Sequence, residues 1–433
     1  MDLMNCWYHS FKSYLVFVHE ALLVRRRYTI GMENIPKEGE RFFIVCNHQN
    51  TANDPLNIVF GLPVRRHICA MARANVFSVN PQITRFLKWI GLLPAFRLGW
   101  EGGEGLEHNF ESFDIVAERI NGGYPVIVFP EAGHTQGHWL DPFTTGTVRM
   151  AFHAAKKADW KEDIKIVPTA HHYSDYFDVQ TDFLWKVARP ISLKPYYKEF
   201  QEHPNAVMRK VTRQMRDTIQ EMMLDEGKDD YEAKDFLRTS ALNSATLQDI
   251  ELPERLELDK AFVAQLIDNP EYAKIIDFTE ELRQKEASVG VDDVTVEKRP
   301  SWLSAAKWAV VLLLLLPLWI VSLWPHGICY YVPTLFLKTD KMFRNSYRAI
   351  MSLLMLYPLA FVVTVLVMGL GFGMWWQALV WIALWIPLGK FSWWYYKHLR
   401  QLRRTLCYLT HKASVRDIER LRGQIRQLLV CGK

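Results

Sequence analysis

The stretch Phe42-Phe43-Ile44-Val45-Cys46-Asn47-His48 decides the fold of its part of the chain. Five apolar residues without a break predict a β-strand that is buried on both faces, because a strand with one face in water would alternate apolar and polar side chains. The polar residues after Cys46 end the strand. The sequence therefore predicts a central strand, with His48 two residues beyond its carboxyl end.

Similar short runs continue on the carboxyl side of this strand. Residues 126–129 and 164–167 are predicted to be buried strands, and the segments between the strands have helical patterns at 55–60, 81–90, 109–120 and 146–158. Strands that alternate with helices predict an α/β fold with a partly parallel sheet. In such a sheet, reactive groups collect in the loops at the carboxyl ends of the strands, where His48 lies.

Charge and composition limit the partners of the chain. Of its 433 residues, 49% are hydrophobic and 23% are charged, which is typical of folded domains. Residues 397–433 hold ten Lys or Arg against Asp417 and Glu419, a net charge of +8, and we expect this basic cytosolic tail to meet anionic membrane lipids. No stripe of basic and aromatic residues predicts nucleic-acid binding. Six scattered cysteines indicate a reducing compartment.

Residues 1–29 are predicted to form an amphipathic helix, with aromatic and aliphatic residues at three- and four-residue spacings between residues 7 and 23. The helix either packs on the domain or lies in the membrane interface. A signal peptide is not expected, because His19 and Glu20 interrupt the apolar stretch and Arg25 follows it. Residues 201–300 are charged and predict a helical insertion.

Residues 301–396 are predicted to be transmembrane or re-entrant helices. Apolar segments at 302–323, 350–370 and 375–396 are each about the length that crosses a bilayer. Basic clusters before residue 302, after residue 337 and in the tail all favour the cytosolic side. An even number of crossings follows, with 302–337 re-entrant and 350–396 a hairpin. We expect an integral membrane protein whose catalytic domain faces the cytosol, at a bacterial inner membrane or the endoplasmic reticulum.

Four short motifs stand in order after predicted strands or helices. They are NHQNTAND at 47–54, GLLPAFR at 91–97, FPEAG at 129–133 and IVPT at 166–169. Their order and spacing resemble the glycerolipid acyltransferase family, which includes the glycerol-phosphate and lysophosphatidate acyltransferases. The segments GMENIP at 31–36 and GTVRMA at 146–151 are also similar to that family. The resemblance covers residues 30–200 and implies an acyltransferase domain there.

The sequence departs from the family pattern at two places. His48 and Asp54 enclose five residues, whereas most of the family has four. The longer gap followed by Pro55-Leu56 resembles a branch that contains fungal-type glycerol-phosphate acyltransferases. Ala132 stands where the family usually has Gly, and the neighbouring Gly133 is a candidate for the flexible position.

The residue types at this loop suit ester formation from a thioester. The reaction needs a base that removes a proton from an alcohol, and histidine is the side chain suited to that near neutral pH. A nearby carboxylate can hold the second ring nitrogen as its proton donor. We therefore predict His48 as the general base and Asp54 as the residue that orients it.

The resemblance implies further site residues. Arg97 is expected to bind the acceptor phosphate, while Glu131 and Gly133 line the acceptor side. Glu131 would hydrogen-bond a glycerol hydroxyl or hold a basic side chain. Arg149 is a second phosphate ligand or a structural residue. The remaining residues, which shape the pocket, are Pro130, Pro168 and Thr169. No cofactor or metal is expected, the donor is acyl-CoA or acyl carrier protein, and the acceptor is glycerol 3-phosphate or a lysophospholipid.

Two other functions compete with this interpretation. His134 and His138, with His171 and His172, could serve a metal hydrolase, but Gly137 argues against a helix that presents the first pair and no third-ligand pattern is visible. A non-catalytic membrane scaffold on an acyltransferase fold is the second alternative. The retention of His48, Asp54, Arg97 and Glu131 argues against it.

Overall fold

The structure of the chain is a computed structural model that describes residues 3–78, 80–95, 104–131, 133, 137–335 and 341–431. Within these residues, eight β-strands form one mixed sheet. The strands are β1 Val24–Ile30, β2 Phe42–Cys46, β3 Cys69–Arg73, β4 Leu92–Ala95, β5 Val126–Val128, β6 Lys165–Tyr173, β7 Thr181–Val187 and β8 Ile191–Ser192. Their order is β1-β7-β6-β2-β5-β3-β4, with β8 beside β6.

Sixteen α-helices surround or extend from this sheet in the described residues. The first five are α1 Leu3–Val18, α2 Asn53–Gly61, α3 Pro81–Trp89, α4 Glu104–Asn121 and α5 Gly146–Lys157. The next six are α6 Tyr197–Glu202, α7 Pro204–Met222, α8 Tyr231–Thr239, α9 Leu252–Ile267, α10 Tyr272–Val289 and α11 Asp293–Lys298. The last five are α12 Trp302–Leu335, α13 Lys341–Met351, α14 Tyr357–Thr364, α15 Trp375–Thr410 and α16 Lys412–Cys431.

Strand β2 lies in the middle of the sheet, as predicted. It runs parallel to both of its neighbours, β5 and β6. Phe43 and Val45 pack in the cluster formed with α4, α5 and α7, whereas Phe42 and Ile44 pack on the opposite face. Because both faces are covered, the strand has no polar side chain. The α/β class and the partly parallel sheet are confirmed, and β6 extends six residues beyond the predicted 164–167.

The charged segment 201–300 is helical, as predicted, and it packs against the end of the chain. Leu282 of α10 lies in one buried cluster with Ile418, Leu421 and Ile425 of α16. Residues 397–431 are therefore folded, and several of their arginines pair with acidic residues of the chain. Arg404 pairs with Asp292, Arg422 with Asp293 and Glu297, and Arg426 with Glu297.

The apolar helices follow α11. Among the described residues, Trp302–Pro333 and Asn345–Gly371 are long and apolar enough to cross a membrane. The third predicted span, 375–396, lies in α15 and is not among these candidates. This segment is rich in tryptophan, a residue that prefers the membrane interface to the hydrocarbon core. Trp324 has φ −100° and ψ 118°, so α12 is broken there, within the segment 302–337 that was predicted to be re-entrant.

The N-terminal helix α1 connects the sheet to the apolar helices. Tyr14 donates a hydrogen bond from its hydroxyl to the carbonyl oxygen of Leu353, 3.0 Å away. Val18 lies in a buried cluster with Tyr330 and Trp385. The helix is therefore packed at its carboxyl end, although Trp7 near its amino end is 69% exposed.

Candidate active site

His48 lies beyond β2, and its ring bonds to the carboxylate at the start of α2. Nδ1 of His48 is 2.9 Å from Oδ2 of Asp54. The His48 side chain is 20% exposed, whereas that of Asp54 is fully buried. When Nδ1–H donates to the carboxylate, Nε2 becomes the nitrogen that carries the lone pair. The structure therefore brings together the two residues predicted to act as a pair.

Asp54 is held as a carboxylate by several donors. Its Oδ2 also accepts from the backbone N–H of Asn50 at 2.8 Å, and its Oδ1 accepts from the Tyr173 hydroxyl at 2.7 Å. Nδ1 of His171 lies 3.5 Å from Oδ1. Burial opposes ionisation, but hydrogen bonds from His171 and His48 outweigh it and hold the pKa of Asp54 below its ordinary value. The carboxylate can thus orient His48 and stabilise its protonated form.

The loop between His48 and Asp54 accommodates its additional residue by a left-handed turn. Thr51 has φ +44°, which is rare for a β-branched residue. A hydroxyl from the C-terminal helices meets the loop at this turn: Ser346 of α13 donates to the carbonyl oxygen of Asn50 at 2.9 Å and contacts the Thr51 hydroxyl. The backbone N–H of Asn53 points at the same hydroxyl from 3.4 Å.

The loop after β5 forms the second wall of the site. The Phe129 ring stacks on the His48 ring with a centroid distance of 4.1 Å. Glu131 is buried, and its two carboxyl oxygens accept from the backbone N–H groups of His48 at 2.7 Å and Asp141 at 3.1 Å. Burial raises the pKa of Glu131 to about 8, although both hydrogen bonds act in the opposite direction. Among the described residues, Glu131 therefore joins two loops through backbone groups and holds no basic side chain.

The other predicted residues are distributed around this centre. Arg97 lies outside the described residues, as do His134 and Ala132. Gly133 does not have the left-handed φ that favours glycine, so its backbone conformation does not require a glycine. Arg149 is exposed on the first turn of α5.

The residues predicted to shape the pocket, Pro130, Pro168 and Thr169, make contacts that hold strand ends and loops in place. Pro168 pairs with Val45 in the β2–β6 ladder, and the Thr169 hydroxyl donates to the Val45 carbonyl oxygen at 3.1 Å. The carbonyl oxygen of Pro130 accepts from the backbone N–H of Thr144 at 3.0 Å. These residues fix the ends of β2 and β5, from which the loops of His48 and Glu131 emerge.

The histidines of the metal-hydrolase alternative separate into two places. His171 lies beside Asp54, whereas His138 lies near Glu226 and Asp235. Ligand atoms of His138, Glu226 and Asp235 lie within 4.8 Å of one another. Buried Arg238 donates to both of these carboxylates. A guanidinium already balances their charge, so this donor set does not suit a cation.

Sequence reasoning did not identify Tyr173, His171 or Ser346 as neighbours of the pair. Tyr173 and His171 alternate on β6, which lies directly beside β2. The two-residue spacing that puts them on one face is visible in the sequence, but the pairing of the strands is not. The sequence around Ser346 gives no indication that this residue lies near the pair.

Part of the chain is similar to known proteins in sequence and in structure. Residues 26–172 match the family model described as Acyltransferase. Among solved structures, the chain is similar to the crystal structure of the 1-acyl-sn-glycerophosphate (LPA) acyltransferase PlsC from Thermotoga maritima, with a TM-score of 0.31 and 13% sequence identity, over 49% of this chain and 98% of that chain. No curated protein matches the chain. Residues 26–172, which contain the four motifs, therefore form an acyltransferase domain, as the resemblance implied.

Proposed function

We propose that the protein transfers a fatty acyl group from a thioester donor to the hydroxyl of glycerol 3-phosphate or of a lysophospholipid such as lysophosphatidate, in phospholipid biosynthesis. The donor is acyl-CoA or acyl carrier protein. The observation that carries the proposal is the hydrogen bond of 2.9 Å between Nδ1 of the partly exposed His48 and the buried carboxylate of Asp54. In this geometry the carboxylate orients the ring through Nδ1, and Nε2 is the nitrogen that would take the proton.

The reaction needs no covalent acyl-enzyme. Nε2 of His48 takes the proton of the acceptor hydroxyl as its oxygen attacks the thioester carbonyl. The tetrahedral intermediate then expels the thiolate, which receives the proton from the imidazolium. Cys46 is the nearest thiol in sequence, but it is fully buried and burial holds its pKa well above the ordinary value, so it is unsuited to act as a nucleophile.

Acceptor binding is proposed at the carboxyl ends of β2, β4 and β5. Arg97 is expected to bind the phosphate, because its planar guanidinium matches phosphate oxygens, and exposed Arg149 is a second candidate. The five residues between His48 and Asp54 favour the branch with glycerol-phosphate acyltransferases, and hence glycerol 3-phosphate. The Pro168 and Thr169 contacts described above give these loops a rigid base.

A membrane location is proposed from the surface of the apolar helices. Leu303, Leu313 and Leu314 of α12 are 67% to 81% exposed, and only 11% of its most apolar stretch is buried. A contiguous apolar surface of this kind suits lipid better than water. Ser346, which contacts the catalytic loop, lies in the apolar segment Asn345–Gly371. The site would thus open at the cytosolic membrane surface, where a soluble donor and a lipid product can both reach it.

The test is an acceptor panel with the purified protein in detergent, run once with a labelled acyl-CoA and once with the matching acyl carrier protein thioester. We expect thiol release that depends on glycerol 3-phosphate or lysophosphatidate, and a fall of about 10² to 10⁴ in kcat for His48→Ala. His153→Ala is the matched control, because His153 forms a similar pair with Asp114 at 2.7 Å on α4 and α5.

The outcomes separate the alternatives. Activity in the wild type and in His153→Ala, with loss in His48→Ala, supports the proposal. Nearly full activity in His48→Ala would exclude the base role. An absence of thiol release with every acceptor and with both donor types would favour the non-catalytic scaffold.

A further inference from the structure

A cavity of about 180 Å³ lies at the edge of the sheet opposite the catalytic loop. His67 precedes β3 and Gly91 precedes β4, so both stand at the amino ends of strands that run parallel with β2. Helix α1 covers this edge and contributes Tyr8. The cavity is thus separate from the site of His48, which lies beyond the carboxyl end of β2.

Basic and aromatic side chains line the cavity. Its main wall residues are Tyr8, His67, Lys88, Trp89, Leu93 and Arg119. Among the described residues, no carboxylate pairs with Lys88 or Arg119, and no carboxylate lines the cavity. The Tyr8 ring lies 4.4 Å from the His67 ring and 6.0 Å from the Trp89 ring. The walls therefore combine positive charge with aromatic surface.

The charge next to the cavity is also positive. Burial lowers the pKa of His67, and the charges of Arg119 and Lys12 lower it further, while a hydrogen bond with the Trp89 backbone acts in the opposite direction. Nδ1 of His67 is buried and has no hydrogen-bond partner within the part of the chain that the structure describes. Positive charge behind this wall favours an anion in the cavity over a cation.

Lys12 adds a buried charge that has no carboxylate partner among the described residues. Its side chain is 2% exposed, and Nζ donates to the carbonyl oxygens of Pro63 and Arg66, each 3.1 Å away. Burial, and then the charge of Arg66, lower the pKa of Lys12 to about 8. Glu38 and Glu40 are the acidic residues near Arg66. An uncompensated buried charge is costly, and an anion in the adjacent cavity would reduce that cost.

We propose that this cavity binds the phosphate of an anionic lipid head group. Lys88 and Arg119 would meet the phosphate at the rim. The aromatic rings of Tyr8 and Trp89 would contact the carbon atoms of the head group. The volume suits a group of this size and excludes a large ligand.

The lipid source follows from helix α1. Trp7, next to Tyr8, is largely exposed, while the other end of the helix packs among the apolar helices. Tryptophan at such a place favours the membrane interface. Bound lipid would hold the helix and the outer edge of the sheet at the membrane surface. This role is independent of catalysis by His48.

The test measures ligand-dependent thermal stability of the full chain in a neutral detergent, at fixed ionic strength. The ligands are dihexanoyl phosphatidylglycerol, dihexanoyl phosphatidylcholine and inorganic phosphate. Phosphatidylglycerol should raise the Tm of the wild type by about 2 °C or more at saturation. Lys88→Gln/Arg119→Gln should abolish the rise. Both side chains are exposed, so the unliganded variant should unfold near the wild-type temperature.

Arg209→Gln/Arg213→Gln is the matched control, because it removes the same charge from an exposed face of α7 outside the cavity. The control should keep the full response. A response to phosphatidylglycerol alone, or to phosphatidylglycerol and phosphate, supports the proposal. A response to phosphate alone would overturn the lipid source. Equal responses to the two lipids, no response, or equal loss in both double variants would overturn the site.

Discussion

Ser346 joins the C-terminal helices to the loop between His48 and Asp54, and its removal gives a sharp prediction. Its hydroxyl donates one hydrogen bond, to the carbonyl oxygen of Asn50, and lies where it can accept from the Thr51 hydroxyl and the Asn53 N–H. That is the full capacity of a hydroxyl. Ser346→Ala would remove all of these contacts without adding volume.

The magnitude follows from what each partner loses. Asn50 and Asn53 keep a backbone hydrogen bond to each other at 2.9 Å, so the main loss is at the buried Thr51 hydroxyl. A buried hydroxyl left without a partner costs about 1–3 kcal/mol. The left-handed turn of Thr51 already costs about 1–2 kcal/mol in the wild type, which favours relaxation of the loop once this support is removed. The loop should therefore leave the productive geometry, and kcat should fall by roughly 10- to 100-fold.

The assay is acyl transfer under saturating donor and acceptor. We expect KM to change by less than about threefold, because Ser346 acts on the loop and the substrates are bound elsewhere. Ser352→Ala is the matched control: this serine lies in the same helical run, is equally buried, and bonds to the carbonyl oxygen of Cys329 at 3.0 Å, away from the loop.

A double-variant cycle distinguishes positioning from general destabilisation. Thr51→Gly removes both the hydroxyl that needs a partner and the cost of φ +44°. In that background, Ser346→Ala should lower kcat by less than about threefold. Equal effects of Ser346→Ala in both backgrounds, or a Ser352→Ala protein as impaired as Ser346→Ala, would refute the reasoning.

Three further variants test the electrostatics of the fold. Asp54→Asn should lower kcat by about 10² to 10⁴. The folded pKa of Asp54 lies below its ordinary value of 3.8, so the stability that the ionised carboxylate supplies is present above pH 3.8 and is lost as pH falls through the folded pKa. The Tm difference between Asp54→Asn and the wild type should therefore shrink in acid. Glu131→Gln should reduce kcat at least about tenfold, because an amide offers one acceptor where two N–H groups need one each; unchanged kinetics would contradict this. The wild-type protein should gain stability between pH 8 and 10.5, because Lys12 has lost its proton there in the folded protein but not in the unfolded chain. A thermal-unfolding series on Lys12→Met should show a smaller gain.

The local sequence determined a large part of the fold and of the site. Phe42–Cys46 is a strand because an unbroken apolar run can be buried only in the middle of a covered sheet, and the structure has it there. The short separation between His48 and Asp54 makes their contact a local matter. The helices near residues 55, 81, 109 and 146 follow from patterns within single segments.

Only the tertiary structure decided which distant residues complete the site. Tyr173 lies 119 positions from Asp54, and Ser346 lies 295 positions from Thr51. Glu131 was expected to serve the acceptor, but the fold turns both of its oxygens towards backbone N–H groups. Likewise, residues 397–433 were expected to form a basic cytosolic tail that meets anionic lipids, and only the structure shows that α16 packs on α10. Periodicity reports which face of a segment is buried, whereas the partner on that face depends on strand order and helix packing, which no single segment contains.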